Sequence, residues 1–270
     1  MIFIGDNMLI LSADLEKYRV EIESTRQNIV TVSTVVLPHK LGILESKIGG
    51  LPYIPSGCEY PLIDGVKAKL FAQINLNNIK DFDCLLLNDI LKGKNLGILQ
   101  FWYQSGHDYC GLEFEKGSKN KIKVIYREDI TGSNYKLNEE EISIAEADNF
   151  VVDCELLMNF SQGVDYLTIG DDYMISKLYK DFKFSEEALE YFYEMDEVVV
   201  HSKIGGYAYF TQEDPRSYME DIPEDLVLLF QIDSDDNLMW GDSGIGNWFI
   251  SKKDLENLDF TNVIFNWDCC

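Results

Sequence analysis

The sequence predicts an α+β protein that is mostly antiparallel sheet, with flanking helices and an internal duplication. The first observation is an identical five-residue stretch that occurs at 46–50 and again at 202–206. The second is that two further blocks recur in the same order, 70–75 at 229–233 and 97–102 at 244–249. Because the order is kept while the spacing changes, we interpret the two regions as copies of one structural unit.

The two copies are predicted to lie in one domain that covers residues 1–270. They extend over about 46–126 and 202–268, and an acidic segment at 138–197 joins them. A chain of 270 residues with 46% hydrophobic residues can bury a sizeable core and has the composition of a globular protein.

The first part of the chain predicts one helix followed by strands. Ser12 can cap a helix that runs to about residue 26, with acidic residues near its positive end. Residues 30–37 are rich in β-branched side chains and predict a strand that ends before Pro38. The first copy then predicts strands at 70–75, 96–103, 112–114 and 122–126, with a helical turn at 84–91.

The middle of the chain predicts short strands at 150–152 and 155–158, then amphipathic helices at 174–182 and 185–195. In the second copy a strand at 226–233 is expected to form a hairpin with a return strand at 238–240. Further strands are predicted at 248–250 and 263–265, and between them Ser251 begins a short helix by a capping-box pattern.

The charge of the chain limits its partners. Acidic residues outnumber basic ones by 47 to 23, which gives a formal net charge of −24. Such a surface repels nucleic acid and anionic membranes, so neither is an expected partner. The excess, greatest at 139–197, either keeps the protein in solution or attracts a basic protein partner.

The sequence shows none of the patterns typical of membrane targeting, metal binding or catalysis. No apolar run reaches the roughly 18 residues that span a bilayer, and the N-terminus lacks the flanks of a signal peptide, so we expect a cytoplasmic protein. Six cysteines and three histidines show no ligand spacing, so no metal or cofactor is expected. No nucleophile elbow, phosphate loop or dinucleotide fingerprint occurs, and the sequence therefore gives no positive argument for an enzyme.

One region has the composition of a ligand site. Trp240 and Trp248 flank a glycine-rich turn that carries Asp242 and Asn247, and Asp268 lies on the last predicted strand. Aromatic side chains beside a few polar groups are typical of a small-molecule or peptide pocket, here suited to a cationic or hydroxylated ligand. They are equally typical of a core in which Asp242 caps a turn and indole N–H groups find internal partners.

Five motifs together resemble the YwqG family, a bacterial family of unknown function. They are Ser-Lys-Ile-Gly-Gly-Leu-Pro-Tyr-Ile-Pro at 46–55, Ala-Gln-Ile-Asn at 72–75, Gly-Ile-Leu-Gln-Phe-Trp at 97–102, Gly-Asp-Ser-Gly-Ile-Gly-Asn-Trp-Phe at 241–249 and Asn-Trp-Asp-Cys at 266–269. The resemblance implies a cytoplasmic α+β protein with no established activity or cofactor. We therefore expect a cytosolic binding protein with a protein partner, by analogy a toxin-neutralising (immunity-like) module. The alternative is a small-molecule-binding protein or an enzyme that uses the region from Trp240 to Trp248.

Overall fold

The computed structural model describes residues 3–5, 8–11, 16–91, 96–113, 119–147, 151–168, 170–178, 202–219 and 222–269. Within these residues the chain forms an eleven-stranded antiparallel sheet and a separate two-stranded hairpin near the N-terminus. The predicted α+β class holds only in its coarser form, because the protein is mainly antiparallel sheet and its helices are few and short.

The strands are β1 (Phe3–Gly5), β2 (Met8–Ile10), β3 (Gln27–Val35), β4 (Lys47–Ile48), β5 (Leu62–Ile63), β6 (Val66–Asn75), β7 (Ile98–Gln104), β8 (Ile122–Arg127), β9 (Leu156–Asp165), β10 (Lys203–Ile204), β11 (Leu226–Asp233), β12 (Ile245–Ser251) and β13 (Ile264–Asp268). The helices are α1 (Arg19–Ser24), α2 (Leu85–Leu91), α3 (Glu139–Glu146), α4 (Asp172–Leu178) and α5 (Lys252–Glu256). No helix among the described residues is long and apolar enough to cross a membrane.

The order of strands in the large sheet is the same from either edge. One edge begins with β13, β12, β11 and β10, and the other begins with β8, β7, β6 and β4. The central strands β3 and β9 lie between these two groups, and β5 pairs with β6. We call β4 to β8 the first half and β10 to β13 the second half. Apart from β5, each half therefore contributes four neighbouring strands in chain order.

The central pair is longer than the sequence predicts. Strands β3 and β9 pair from Gln27 opposite Asp165 to Val35 opposite Leu157. The predicted strand at 155–158 is only the first part of β9. Its continuation carries exposed polar residues, such as Asn159 and Ser161, on the face away from the core. A search for hydrophobic residues alone misses such a segment.

The two halves share their pairing register. Lys47 of β4 lies opposite Gln73 of β6, and Lys203 of β10 lies opposite Gln231 of β11. The long hairpin of each half also has one irregularity at the corresponding place, between residues 70 and 72 and between residues 228 and 230. An extra residue in one strand increases the local twist, so both hairpins bend at the same point.

The sheet curls until its two halves pack against each other and is nearly closed. The Trp248 ring stacks on Phe71 at 5.2 Å and on Phe265 at 4.7 Å, which joins side chains of both halves in one core. Near the sheet edges the Asn120 side chain donates to the Phe265 carbonyl oxygen at 2.5 Å. Aromatic rings dominate the packing between the two halves, and each ring removes a large apolar area from water.

Several predicted elements differ from the structure. Residues 238–240 form a loop, and the return strand of that hairpin is β12, because Asp235 caps the turn by accepting the N–H groups of Asn237 and Leu238. No strand forms at 112–113 or 151–152, the described parts of two predicted strands. The first helix is described as a 3-10 turn at Glu16–Tyr18 followed by α1. The helix predicted at 185–195 lies outside the described residues.

Candidate functional site

Each half buries two side-chain amides that hold the backbone of a tyrosine. In the first half, Gln73 Oε1 accepts the N–H of Tyr53 at 3.0 Å. Gln100 Nε2 donates to the Tyr53 carbonyl oxygen at 2.6 Å and to Gln73 Oε1 at 2.9 Å. Both glutamines are fully buried, and the pair satisfies a backbone donor and acceptor that water does not reach. We call this arrangement the amide clasp.

The second half repeats the amide clasp. Gln231 Oε1 accepts the N–H of Tyr209 at 2.8 Å, and Asn247 Nδ2 donates to the Tyr209 carbonyl oxygen at 3.0 Å. Gln231 and Asn247 are also fully buried. Because Tyr53 and Tyr209 each lie six residues after the lysine of their own half, the same chemistry recurs at the same point of the fold.

The two clasps differ in what lies next to the outer amide. In the first half, the Nε–H of Arg127 donates to Gln100 Oε1 at 3.2 Å. Arg127 lies on β8, opposite the residue two before Gln100. On β13, Asp268 lies opposite the residue two before Asn247. The second half therefore has a carboxylate where the first half has a guanidinium group.

This exchange leaves two buried acceptors without a donor. Asn247 Oδ1 and Asp268 Oδ1 are both buried, and neither has a hydrogen-bond partner in the part of the chain that the structure describes. The other carboxylate oxygen, Asp268 Oδ2, accepts the N–H of Gln212 at 2.7 Å. A buried acceptor without a donor costs about 1–3 kcal/mol. We call Asn247 Oδ1 and Asp268 Oδ1 the acceptor pair.

The electrostatics of Asp268 reflect its burial. Burial raises the pKa of Asp268 to about 6, although the N–H of Gln212 and the hydroxyl and N–H of Thr211 lower it. The Thr211 hydroxyl lies beside the carboxylate, but its oxygen completes no hydrogen bond. Asp268 also contributes to the raised pKa of Tyr218, a tyrosine that is 67% exposed, after the larger effects of burial and of two other carboxylates.

The structure separates the residues that the sequence predicts as one ligand site. Asn247 and Asp268 lie on the same face of the β12–β13 pair, because side chains alternate along paired strands. Trp248 points to the opposite face, into the core, and Trp240 packs edge-on against it at 6.2 Å. The two tryptophans are therefore core residues, packed against each other and against phenylalanines of both halves.

Asp242 is exposed on the turn 241–244 and does not join the buried pair. This turn packs closely against the end of β13, since a Cβ on Gly244 would lie 1.9 Å from the Asp268 carbonyl oxygen. Of the five predicted residues, the structure thus brings together only Asn247 and Asp268. Sequence reasoning missed Thr211, Gln212 and the counterpart Arg127, and only the strand register relates Arg127 to Asp268.

Each half also has a cavity behind its glycine pair. The second-half cavity measures about 250 Å³ and lies against Gly205, Gly206 and apolar residues of α2, α5 and β11. The first-half cavity measures about 320 Å³ and lies against Gly49, Gly50 and the buried Lys69. All four glycines have φ between 68° and 82°, a range that favours glycine, so the chain turns in the same way at both cavities.

The two lysines that lie opposite a glutamine, Lys47 and Lys203, differ in the group that receives their ammonium hydrogens. The ammonium group of Lys203 forms an ion pair with Asp165 at 2.7 Å, and both side chains are buried. Lys47 donates to the carbonyl oxygen of Gly42 at 2.9 Å and forms no ion pair within the described ranges. Burial lowers the pKa of Lys47 to about 8, against the opposing effect of Glu155.

A buried ionic network lies at the floor of the second-half cavity. Arg216 binds Asp214 through two nitrogens, at 2.9 and 2.7 Å, and binds Asp171 at 2.6 Å. Its guanidinium also lies over the rings of Phe249 and Phe210, at 4.7 and 5.2 Å. Burial raises the pKa of Asp171, although Arg216 opposes this effect. Because the donors and acceptors are matched, this network is structural.

Among the described residues the buried charges nearly balance, so the negative excess of these residues lies on the surface. Among the described residues the buried cations are Lys47, Lys69, Lys203 and Arg216, and the buried anions are Glu141, Asp165, Asp171, Asp214 and Asp268. No group of three or more histidine, cysteine or acidic residues is arranged to hold a metal ion in the described ranges. The acidic segment 138–197 is described only as far as residue 178, with gaps, so its predicted carboxylate patch lies partly outside the described residues.

Residues 46–269 match the family model described as Domain of unknown function (DUF1963). The match begins at the first glycine-pair motif and ends just after Asp268, so it includes both halves and both amide clasps. A comparison with curated proteins gives no match.

Proposed function

We propose a binding role for this chain, which belongs to the family of domains of unknown function DUF1963. Within that family it is a YwqG-like protein of the cytoplasm whose ligand is a basic protein partner. A toxin with a basic surface is one class of partner that fits this role.

The surface location of the negative charge carries the proposal. The chain has a formal net charge of −24, and among the described residues the buried cations are outnumbered by buried carboxylates, so the acidic excess of those residues is on the surface. The ammonium or guanidinium groups of Arg19, Lys40, Lys67 and Lys121 are also held in ion pairs on the surface. The remaining carboxylates produce a field that attracts a cationic partner and accelerates its association.

A peptide titration tests this proposal. The probe is a fluorescent peptide of alternating arginine and glycine, and the control is the same peptide with glutamine in place of arginine. We expect saturable binding of the arginine peptide that weakens at least about tenfold when salt rises from about 0.05 to 0.3 M, because salt screens exposed charges. Equal binding of both peptides, or binding that salt does not change, would contradict the proposal.

Matched charge removals locate the binding face. Asp236→Asn with Asp242→Asn removes two exposed carboxylates from loops of the second half. Asp64→Asn with Asp81→Asn removes two exposed carboxylates from the first half. We expect the second-half variant to weaken the arginine peptide more, because the turn that carries Asp242 packs against the end of β13. The same loss in both variants would mean that the whole surface attracts the peptide without a preferred face.

The second-half cavity supports a second candidate, a small apolar ligand. Its walls include Leu86, Met174 and Leu255, and the matching position of Lys69 in the first half is Val227 here. The uncharged dye N-phenyl-1-naphthylamine is a suitable probe, and we expect saturable fluorescence that Val227→Lys abolishes by placing a charged side chain in the cavity. Unchanged fluorescence in Val227→Lys would exclude this cavity as the binding site.

A further inference from the structure

The amide clasp of the first half shows which group completes such a site. There the outer amide oxygen, Gln100 Oε1, accepts a hydrogen bond from the guanidinium of Arg127. The corresponding oxygen of the second half, Asn247 Oδ1, is buried and has no donor among the described residues. More than nine in ten buried polar groups in proteins have a hydrogen-bond partner. We therefore expect Asn247 Oδ1 to accept from a donor that the described residues do not supply.

The carboxylate beside Asn247 Oδ1 determines what kind of donor fits. Asp268 replaces the arginine and adds a second acceptor, Oδ1, that also lacks a partner within the described ranges. Asp268 is 9% exposed, and isolated carboxylates are rarely buried without a cation. A single group that donates to both oxygens needs at least two polar hydrogens, and a positive charge on it would also compensate the buried carboxylate.

We propose that Asn247 and Asp268 bind a guanidinium group, supplied by an arginine side chain of the basic partner. This inference rests on the proposed binding of such a partner and names the contact that would make it specific for arginine. The planar guanidinium presents several N–H groups in a fixed fork, so it donates to an amide oxygen and a carboxylate oxygen at once. An ammonium group is smaller, more strongly hydrated and less suited to two fixed acceptors.

The surroundings of the acceptor pair favour entry from the surface. Gln212, whose N–H holds Asp268 Oδ2, is exposed, and Tyr218 near the carboxylate is 67% exposed. Guanidinium groups pack well on the faces of aromatic rings, as Arg216 does on Phe249 at 4.7 Å elsewhere in this fold.

The direct test uses methylguanidinium chloride as the probe and records amide signals by NMR. The reporters are the side-chain amide of Asn247 and the backbone N–H of Gln212, and sodium chloride keeps the ionic strength constant. We expect saturable shifts of both signals, with methylammonium binding at least about threefold more weakly. Non-saturable shifts in both titrations would overturn the inference.

Two variants separate this site from general charge attraction. Asp268→Asn supplies its own donor to Asn247 Oδ1 and removes the charge, so we expect methylguanidinium affinity to fall at least about tenfold. Asp81→Asn removes an exposed carboxylate from the first half and should leave the affinity unchanged. If Asp268→Asn binds as well as the original protein, the inference is wrong. If the Asn247 signals respond only to pH and never to methylguanidinium, a proton on Asp268 is the missing donor and the inference is also wrong.

The same variants distinguish this inference from the proposed function. If the arginine peptide binds Asp268→Asn with unchanged affinity, the protein has a basic partner but this site does not receive its arginine. If methylguanidinium binds and the arginine peptide does not, the site exists and the proposed protein partner is wrong. We expect Asp268→Asn to weaken binding of the arginine peptide at least about tenfold, and binding of the same peptide with lysine in place of arginine much less.

Discussion

The two halves of the sheet share a backbone plan but satisfy their buried polar groups in different ways. Both have the glycine pair, the lysine opposite a glutamine and the amide clasp. The first half supplies Arg127 to its clasp and leaves Lys47 without an ion pair among the described residues. The second half pairs Lys203 with Asp165 and leaves its clasp with an extra carboxylate. Between the two clasps, the unfilled hydrogen-bonding capacity thus lies in the second half, and it is capacity to accept.

The largest expected difference between the halves concerns the two lysines. Lys203→Met removes the cation from a buried ion pair and leaves Asp165 charged, so we expect a loss of about 3–5 kcal/mol of unfolding free energy. Lys47→Met removes a cation that burial already penalises, and the exposed Gly42 retains the N–H of Glu45 as a donor to its carbonyl oxygen. We expect a change below about 1 kcal/mol for Lys47→Met. Urea denaturation measures both, and equal losses would refute the contrast.

Asp268→Asn should stabilise the protein near pH 7. The pKa of Asp268 is raised from the ordinary value of 3.8 to about 6. Between these pH values the folded protein keeps a proton that the unfolded chain has released, so the free energy of unfolding falls as pH rises. Above pH 6 the folded protein therefore carries a penalty of roughly 2–3 kcal/mol that asparagine does not have. We expect a gain of that order at about pH 7 and almost none near pH 3. A variant that is less stable than the original protein at neutral pH would show that Asp268 Oδ1 already has a donor within the protein.

The amide clasps should contribute similarly in both halves. Gln73→Leu and Gln231→Leu each remove the acceptor for a buried tyrosine N–H. We expect each to lose about 1–2 kcal/mol of unfolding free energy, because the backbone donor is left unsatisfied. Chemical denaturation of the two variants side by side provides the comparison. A loss in only one of them would mean that the two clasps are not equivalent.

The smallest expected effect is on a surface ion pair of the first-half cavity. Lys40 and Glu146 form an ion pair at its rim, and their side chains are 69% and 45% exposed. Glu146→Gln should change the unfolding free energy by less than about 1 kcal/mol, because solvent and salt screen the pair. A larger loss in thermal melting would indicate that the rim is less hydrated than its exposure suggests.

The sequence predicted the features that depend on local repetition. The motif at 46–50 and 202–206 identified the two turns with left-handed glycines, and the capping pattern at Ser251 identified α5. It did not predict the extent of β9, whose outer side chains are polar, or that Trp248 and Asn247 point to opposite faces. The face of the sheet to which a side chain points depends on the strand register, and the register is set by contacts between distant segments.

The candidate site was predicted only in part for the same reason. Asn247 and Asp268 were identified by composition, whereas the role of Arg127 as counterpart of Asp268 depends on pairing along β8 and β13. The loops between matched blocks differ in length, so the offset between counterparts changes along the chain, from 156 at the first motif to 141 at this position. No single alignment offset reveals the exchange of arginine for aspartate.

A crystal structure of the protein grown with methylguanidinium chloride tests the central claim most directly. The account predicts a planar guanidinium within hydrogen-bond distance of both Asn247 Oδ1 and Asp268 Oδ1, with the Gln212 N–H still bound to Asp268 Oδ2. A water molecule or a direct contact between the two oxygens at this place, with methylguanidinium bound elsewhere on the surface, would contradict it.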